Sequence, residues 1–194
     1  MRNTTLLCIS LALLGAACAS QPAPPPSAAN AAGTSTPNAP DEPRTLIPPL
    51  LPQAREPMPG VTTGGKPSAQ QLMAAKQSGV RSVISLLPAS ETQAEAAEAQ
   101  RLGLRFTSIP VLDAGALNQE NAQRLAAAMD APGAKPLLLH CETGDRAGAL
   151  LALRAYFVDH ASSEAALALG QSAGMTPSTR KLVETQLQAA GATQ

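Results

Sequence analysis

Proline distribution sets the first limit on what this chain can fold into. Of the 18 prolines in its 194 residues, 13 fall between Pro22 and Pro67. Proline lacks an amide hydrogen and has a fixed φ, so a stretch this dense cannot supply helix or inner-strand hydrogen bonds. Residues 20–59, rich also in Ala, Ser, Thr and Asn, read as a semi-extended tether. Leu46-Ile47 and Leu50-Leu51 are apolar enough to dock on the domain beyond them, so that boundary is soft. Residues 60–194 are left for a single packed domain, a usual size for one core.

The first 19 residues read as an export signal. Arg2 supplies a positive start, Leu6 to Leu14 an apolar run, and Gly15, Ala16 and Ala17 a small-residue exit before Cys18. A membrane span needs roughly 20 apolar residues, more than this run offers. Two processing readings stand. In one, Cys18 is lipidated as the new N-terminus of a lipoprotein, although Gly15 sits where such a signal usually has Leu. In the other, Ala17-Cys18-Ala19 is an A-x-A cleavage site and Cys18 is discarded. Both place the mature protein outside the inner membrane, in the periplasm. The lipoprotein reading anchors it to the outer membrane, with the lipid on Cys18 as its only membrane contact.

Charge and aromatic content exclude other roles. The chain has 14 basic and 14 acidic residues, and its only aromatics are Phe106, Tyr156 and Phe157. It lacks both the basic footprint and the stacking surfaces of a nucleic-acid binder. Two histidines and three scattered cysteines do not make a structural zinc site, and no cofactor is implied.

Within the domain, strands and helices alternate. Val61–Thr63, Val80–Leu87, Leu104–Ile109 and Pro136–His140 read as strands. Helices are expected from Ser68 to Ser78, from a Ser90/Gln93 capping box to before Gly103, and from Asn118 to Met129. Three more are expected from Arg146 to His160, Ser163 to Gly170, and Thr176 to Ala190. This order implies an α/β fold: one three-layer domain with a mainly parallel sheet flanked by helices. Gly60 to Lys66 fits the start of a nucleotide-binding loop, but Pro67 stands where the magnesium-binding hydroxyl is needed, so that reading is discarded.

The chemistry gathers after the last strand, in His140-Cys141-Glu142-Thr143-Gly144-Asp145-Arg146. A buried strand, a Gly-containing turn and a helix start wrap backbone amides around one point at the positive end of a helix, which suits an anion. A thiol at that point is activated as a nucleophile. Cys141 is the only cysteine outside the signal region, so it has no partner for an intramolecular disulfide. Arg146 can clamp an oxyanion through its planar fork. Glu142, Thr143, Gly144, Asp145 and Arg146 are the candidate substrate-binding loop, and His140 reads as a structural residue that fixes it.

HCxxGxR after a buried strand resembles the phosphate-binding loop of cysteine phosphatases and rhodaneses. With Gly64-Gly65-Lys66-Pro67-Ser68 and Gly79-Val80-Arg81-Ser82-Val83-Ile84-Ser85-Leu86, residues 60–160 resemble the phosphatase-like domain of beta-lactamase hydrolase-like proteins, relatives of the dual-specificity phosphatases. That resemblance implies that Cys141 attacks phosphorus, Arg146 and the loop amides hold the oxygens, and Asp113 protonates the leaving group. Its substrate is then a small anionic or phosphorylated molecule. The loop departs from the phosphatase pattern in several places: Glu142 and Asp145 put carboxylates in or beside the anion cradle, and four residues separate Cys141 from Arg146 where five are usual, which is the rhodanese length. Ala147 also replaces the usual hydroxyl residue. Three functions stand at this point: a phosphoester hydrolase, a sulfurtransferase carrying a persulfide on Cys141, and a non-catalytic anion-binding domain.

Overall fold

The computed structural model describes residues 51–191. The export signal, Cys18 and the tether up to residue 50 lie outside the described residues. The elements run β1 (Arg55–Met58), β2 (Val61–Gly64), α1 (Ala69–Gln77), β3 (Ser82–Ser85), α2 (Ala89–Arg101) and β4 (Arg105–Ser108). A 3-10 turn (Ala114–Ala116) comes next, then α3 (Gln119–Asp130), β5 (Leu137–His140), α4 (Asp145–Phe157), α5 (Ser163–Ser172) and α6 (Pro177–Gly191).

The five strands form one sheet in the order β1-β2-β5-β3-β4. All neighbours are parallel except the β1–β2 hairpin. The expected α/β architecture is therefore present, with one addition. β1 lies inside the segment whose composition reads as tether. It is an edge strand, where Pro57 removes no inner hydrogen bond. Leu51 is completely buried just ahead of it, so the chain docks before residue 60.

Alternation along β5 builds the two cores. Leu138 faces one way and packs with Leu72 and Ala75 of α1 and Ala99 of α2. Leu137 and Leu139 face the other way, against α3, α4, α5 and α6 through Leu125, Leu150, Leu167 and Val183. Helices thus cover both faces of the sheet, which is why β5 reads as a continuous apolar run.

Local signals explain most helix starts. Ser68 caps α1 in a reciprocal capping box with Gln71, and Asn118 caps α3 through the Asn121 amide. The Ser90/Gln93 box is not formed. α2 starts two residues earlier than that box needs, straight after Pro88, which has no side-chain donor or acceptor for the cap. The Gly60–Lys66 pattern is largely strand: β2 takes up Val61–Gly64.

α4 is buried along its length, from Ala147 to Ala155. It meets α5 at backbone distance through Gly148. A methyl group there would lie 2.6 Å from both the Gly170 carbonyl oxygen and the Met175 nitrogen. Neither is a flexible side chain that could yield. Gly148→Ala gains up to about 1 kcal/mol of helix propensity but forces α4 and α5 apart. We expect a net loss of about 2 kcal/mol, or about 6 °C in Tm, by thermal unfolding. An unchanged or higher Tm would show that the contact is not tight.

Candidate active site

β5 sits between β2 and β3, with His140 in register with Gly64 on one side and Ser85 on the other. The loops after these three strands therefore leave from the same edge of the sheet. In parallel sheets this carboxyl edge is where ligands are received. The loop after β5 is stitched to both neighbours. Cys141 N donates to the Gly64 carbonyl (3.3 Å), Lys66 N to the Glu142 carbonyl (3.3 Å), and Leu86 N to the His140 carbonyl (2.9 Å).

Cys141 lies at the foot of this loop, 1% exposed. Gly144 caps α4 with φ +98°, a conformation that glycine adopts without a Cβ penalty. The turn carries the Gly144 amide over the sulfur, to which it donates at 3.1 Å. The start of α4 adds the positive end of a 13-residue helix. Amide and helix thus present partial positive charge to Sγ from the same side.

Arg146 is half-buried on the first turn of α4, and its Nη1 donates to the Val111 carbonyl at 2.5 Å. This ties the loop after β4 to the Cys141 loop. Arginine has five N–H donors in a planar fork, and this bond uses one of them. Two residues beyond Val111 is Asp113. Its Oδ1 accepts from the amides of Gly115 (2.9 Å) and Ala116 (3.1 Å), capping the 3-10 turn. Cys141, Arg146 and the Asp113 loop are therefore brought together.

The other expected contacts divide. Glu142 and Thr143 are exposed. Glu142 and Arg146 line a depression of about 500 Å³ with Leu87, Pro88, Glu91 and Leu112. Asp145, expected in the binding loop, turns away. Its carboxylate accepts from Thr176 N (2.7 Å) and Thr179 Oγ1 (2.6 Å), joining the start of α4 to the start of α6. This removes one carboxylate from the anion site, where it would repel a dianion.

His140, expected to be a structural residue, is completely buried. Its Nδ1 lies 3.3 Å from the Cys141 carbonyl oxygen, and its Nε2 2.6 Å from Glu95 Oε1 on α2. Sequence reasoning misses Glu95. The only signal for it is its place on the inward stripe of α2, with Thr92 and Ala99. Among the described residues no group of three or more His, Cys, Asp or Glu is placed to hold a metal ion.

Residues 54–188 match the family model described as DSP-PTPase phosphatase fused to NAD+ kinase. No curated protein matches the chain. Among solved structures, a DUF442 phosphatase candidate from Shewanella putrefaciens CN-32 is 25% identical over 71% of this chain and 89% of that one, with a TM-score of 0.53. Tk-PTP in its active form is 18% identical over 71% of this chain and 97% of its own, with a TM-score of 0.54. PTPMT1 is 19% identical over 73% of this chain and 99% of its own, with a TM-score of 0.51. The last two likenesses concern the fold.

Proposed function

We propose, from the premise that this chain belongs to the DSP-PTPase phosphatase family, that it hydrolyses a phosphate monoester through a phosphocysteine on Cys141. The observation that carries the reading is the Gly144 amide at 3.1 Å from Sγ, at the start of α4 and two residues before Arg146. In the proposed reaction Sγ attacks phosphorus and the alkoxide or phenoxide leaves with a proton from Asp113. Water then attacks the phosphocysteine, losing its proton to the same carboxylate, and releases phosphate and the thiolate. Arg146 and the loop amides hold the oxygens that carry charge in both steps.

The depression beside Arg146 suggests the kind of ester. Leu87, Pro88 and Leu112 give it apolar walls; Glu91 is ion-paired with Lys66 at 3.8 Å, and Glu142 adds a second carboxylate beside Arg146. A second phosphate would meet like charge there. The reading is therefore a substrate with one phosphate and an apolar body.

The test is release of phosphate from an aryl phosphate, with acid quench to trap phosphate on the Cys141 peptide. Turnover with a labelled Cys141 peptide supports the reading, and a well-folded protein with neither sinks it. Asp113 has its own signature. Asparagine caps a helical turn about as well as aspartate, so Asp113→Asn keeps the fold. We expect kcat/KM on an alkyl phosphate, which reports the first step, to fall about 100-fold, since a poor leaving group needs the proton. On p-nitrophenyl phosphate, whose leaving group does not, the loss in kcat/KM should be below about fivefold, while kcat falls as the phosphocysteine waits for a base to activate water. Equal losses of kcat/KM on both would remove Asp113 as the acid.

A second reading comes from loop length. With four residues between Cys141 and Arg146, the ring closes on the sulfur itself, which suits a persulfide on Cys141. The Cys141 thiolate would then attack the outer sulfur of thiosulfate, breaking its S–S bond and releasing sulfite, so the protein gains the mass of one sulfur atom, and Asp113→Asn would not alter this.

Export remains part of the proposal, supported by Arg2, the run Leu6–Leu14 and the small residues before Cys18. The N-terminal peptide of the mature protein decides it. A lipid-modified Cys18 means an anchored lipoprotein, a start at Ser20 means a free periplasmic protein, and an intact Met1 overturns both.

A further inference from the structure

We infer that Glu95 is a positioning residue for the nucleophile loop, acting through His140. A carboxylate on the inward stripe of a helix loses its hydration and needs a partner. Glu95 is 7% exposed and His140 fully buried, and a hydrogen bond of 2.6 Å joins them away from water. The other carboxylate oxygen, Oε2, is buried without a hydrogen-bond partner. The one bond to His140 therefore holds the carboxylate in place.

Both ring nitrogens of His140 face oxygen: Nε2 the Glu95 carboxylate, Nδ1 the Cys141 carbonyl. A carbonyl only accepts, so Nδ1 carries a hydrogen. A second hydrogen lies between Nε2 and Oε1, on one atom or the other. Glu95 fixes the ring through that second hydrogen, and the ring fixes the carbonyl of the nucleophile's own peptide. The same loop is pinned on its other side by the Lys66 N–Glu142 carbonyl bond. Rotation of the Cys141 peptide would move Sγ away from the Gly144 amide. Glu95, 45 residues from His140 in sequence, thus couples α2 to the aim of the sulfur without touching substrate.

The inference uses the phosphatase reading for its turnover measurement and stands apart from it in its spectroscopic one. The full chain, with ¹⁵N-labelled histidine, is compared with Glu95→Gln and Glu95→Ala. In the wild type, His140 Nδ1 should carry a slowly exchanging hydrogen. Glu95→Gln can still bond Nε2 through its amide, so it should keep that signal and a kcat within about threefold of wild type. Glu95→Ala frees the ring, so the Nδ1 hydrogen should exchange rapidly. Its kcat on an aryl phosphate should then fall about 30-fold, with KM within about twofold, as expected for a misaimed nucleophile. Rescue by Gln separates positioning from charge, and a purely structural role would lower Tm while leaving kcat per folded molecule unchanged. The inference is overturned by a wild-type Nδ1 without hydrogen, or by folded Glu95→Ala with wild-type kcat. If Glu95→Ala does not fold, loss of the Nδ1 hydrogen in Glu95→Gln overturns it and retention supports it. If the wild type has no turnover, the phosphatase reading has failed, and the His140 signals alone judge Glu95.

Discussion

Cys141→Ser is expected to lower phosphate release by about 10⁴-fold, equivalent to about 5.5 kcal/mol of lost barrier reduction. Serine keeps the shape, and its hydroxyl can still accept from the Gly144 amide, so the loop should persist. What is lost is the nucleophile: at neutral pH a hydroxyl is a far weaker one than a thiol unless a base stands beside it. The ring nitrogens of His140 face Glu95 and the Cys141 carbonyl, so it is not that base. The measurement is steady-state hydrolysis with unfolding curves for both proteins. Residual turnover within tenfold of wild type, in a folded variant, would assign the chemistry elsewhere. The acid-quenched Cys141 peptide should lose its phosphate label in parallel.

Arg146→Ala is expected to cost about 10³-fold in kcat/KM, or about 4 kcal/mol. Two effects add. The transition state loses a charged donor at its equatorial oxygens, and the Val111 carbonyl loses its 2.5 Å partner. The second effect loosens the loop that carries Asp113. Arg146→Lys separates the two. An ammonium keeps the charge but not the planar fork that reaches an anion and a carbonyl together. We therefore expect Lys to recover at most about one tenth of the activity. Full recovery would mean that Arg146 acts as a simple charge and that its tie to Val111 has no catalytic consequence.

Much of this molecule is legible in the sequence because short-range rules govern it. The apolar run Leu137–Leu139 reads as a buried strand, and it is the central one of the sheet. Ser68 and Asn118 cap the helices they precede, since a cap needs partners only three residues away. Cys141, Gly144 and Arg146 occupy one loop, so their spacing alone brings them together. What the sequence hides is decided by partners far along the chain. Asp145 looks like a loop carboxylate until Thr176 and Thr179, 31 and 34 residues on, claim both its oxygens. Arg146 finds the Val111 carbonyl across 35 residues, and Glu95 finds His140 across 45. β1 is hidden for another reason. Proline argues against strands in general, but at position 57 it sits on an edge.

The strand order has a consequence for when this protein can fold. β2 and β3 are not neighbours: the last strand of the sheet, β5, fills the place between them. Before residues 137–140 leave the ribosome, the β1–β2 hairpin and the β3–β4 pair have no ladder joining them. Each is a two-stranded fragment, marginal on its own in water. A growing chain therefore stays open through most of its synthesis, and closure comes late, as pairings of high sequence separation do. Such a delay keeps the polypeptide threadable for most of its length, and the Cys141 loop is made in the same step that locks the sheet.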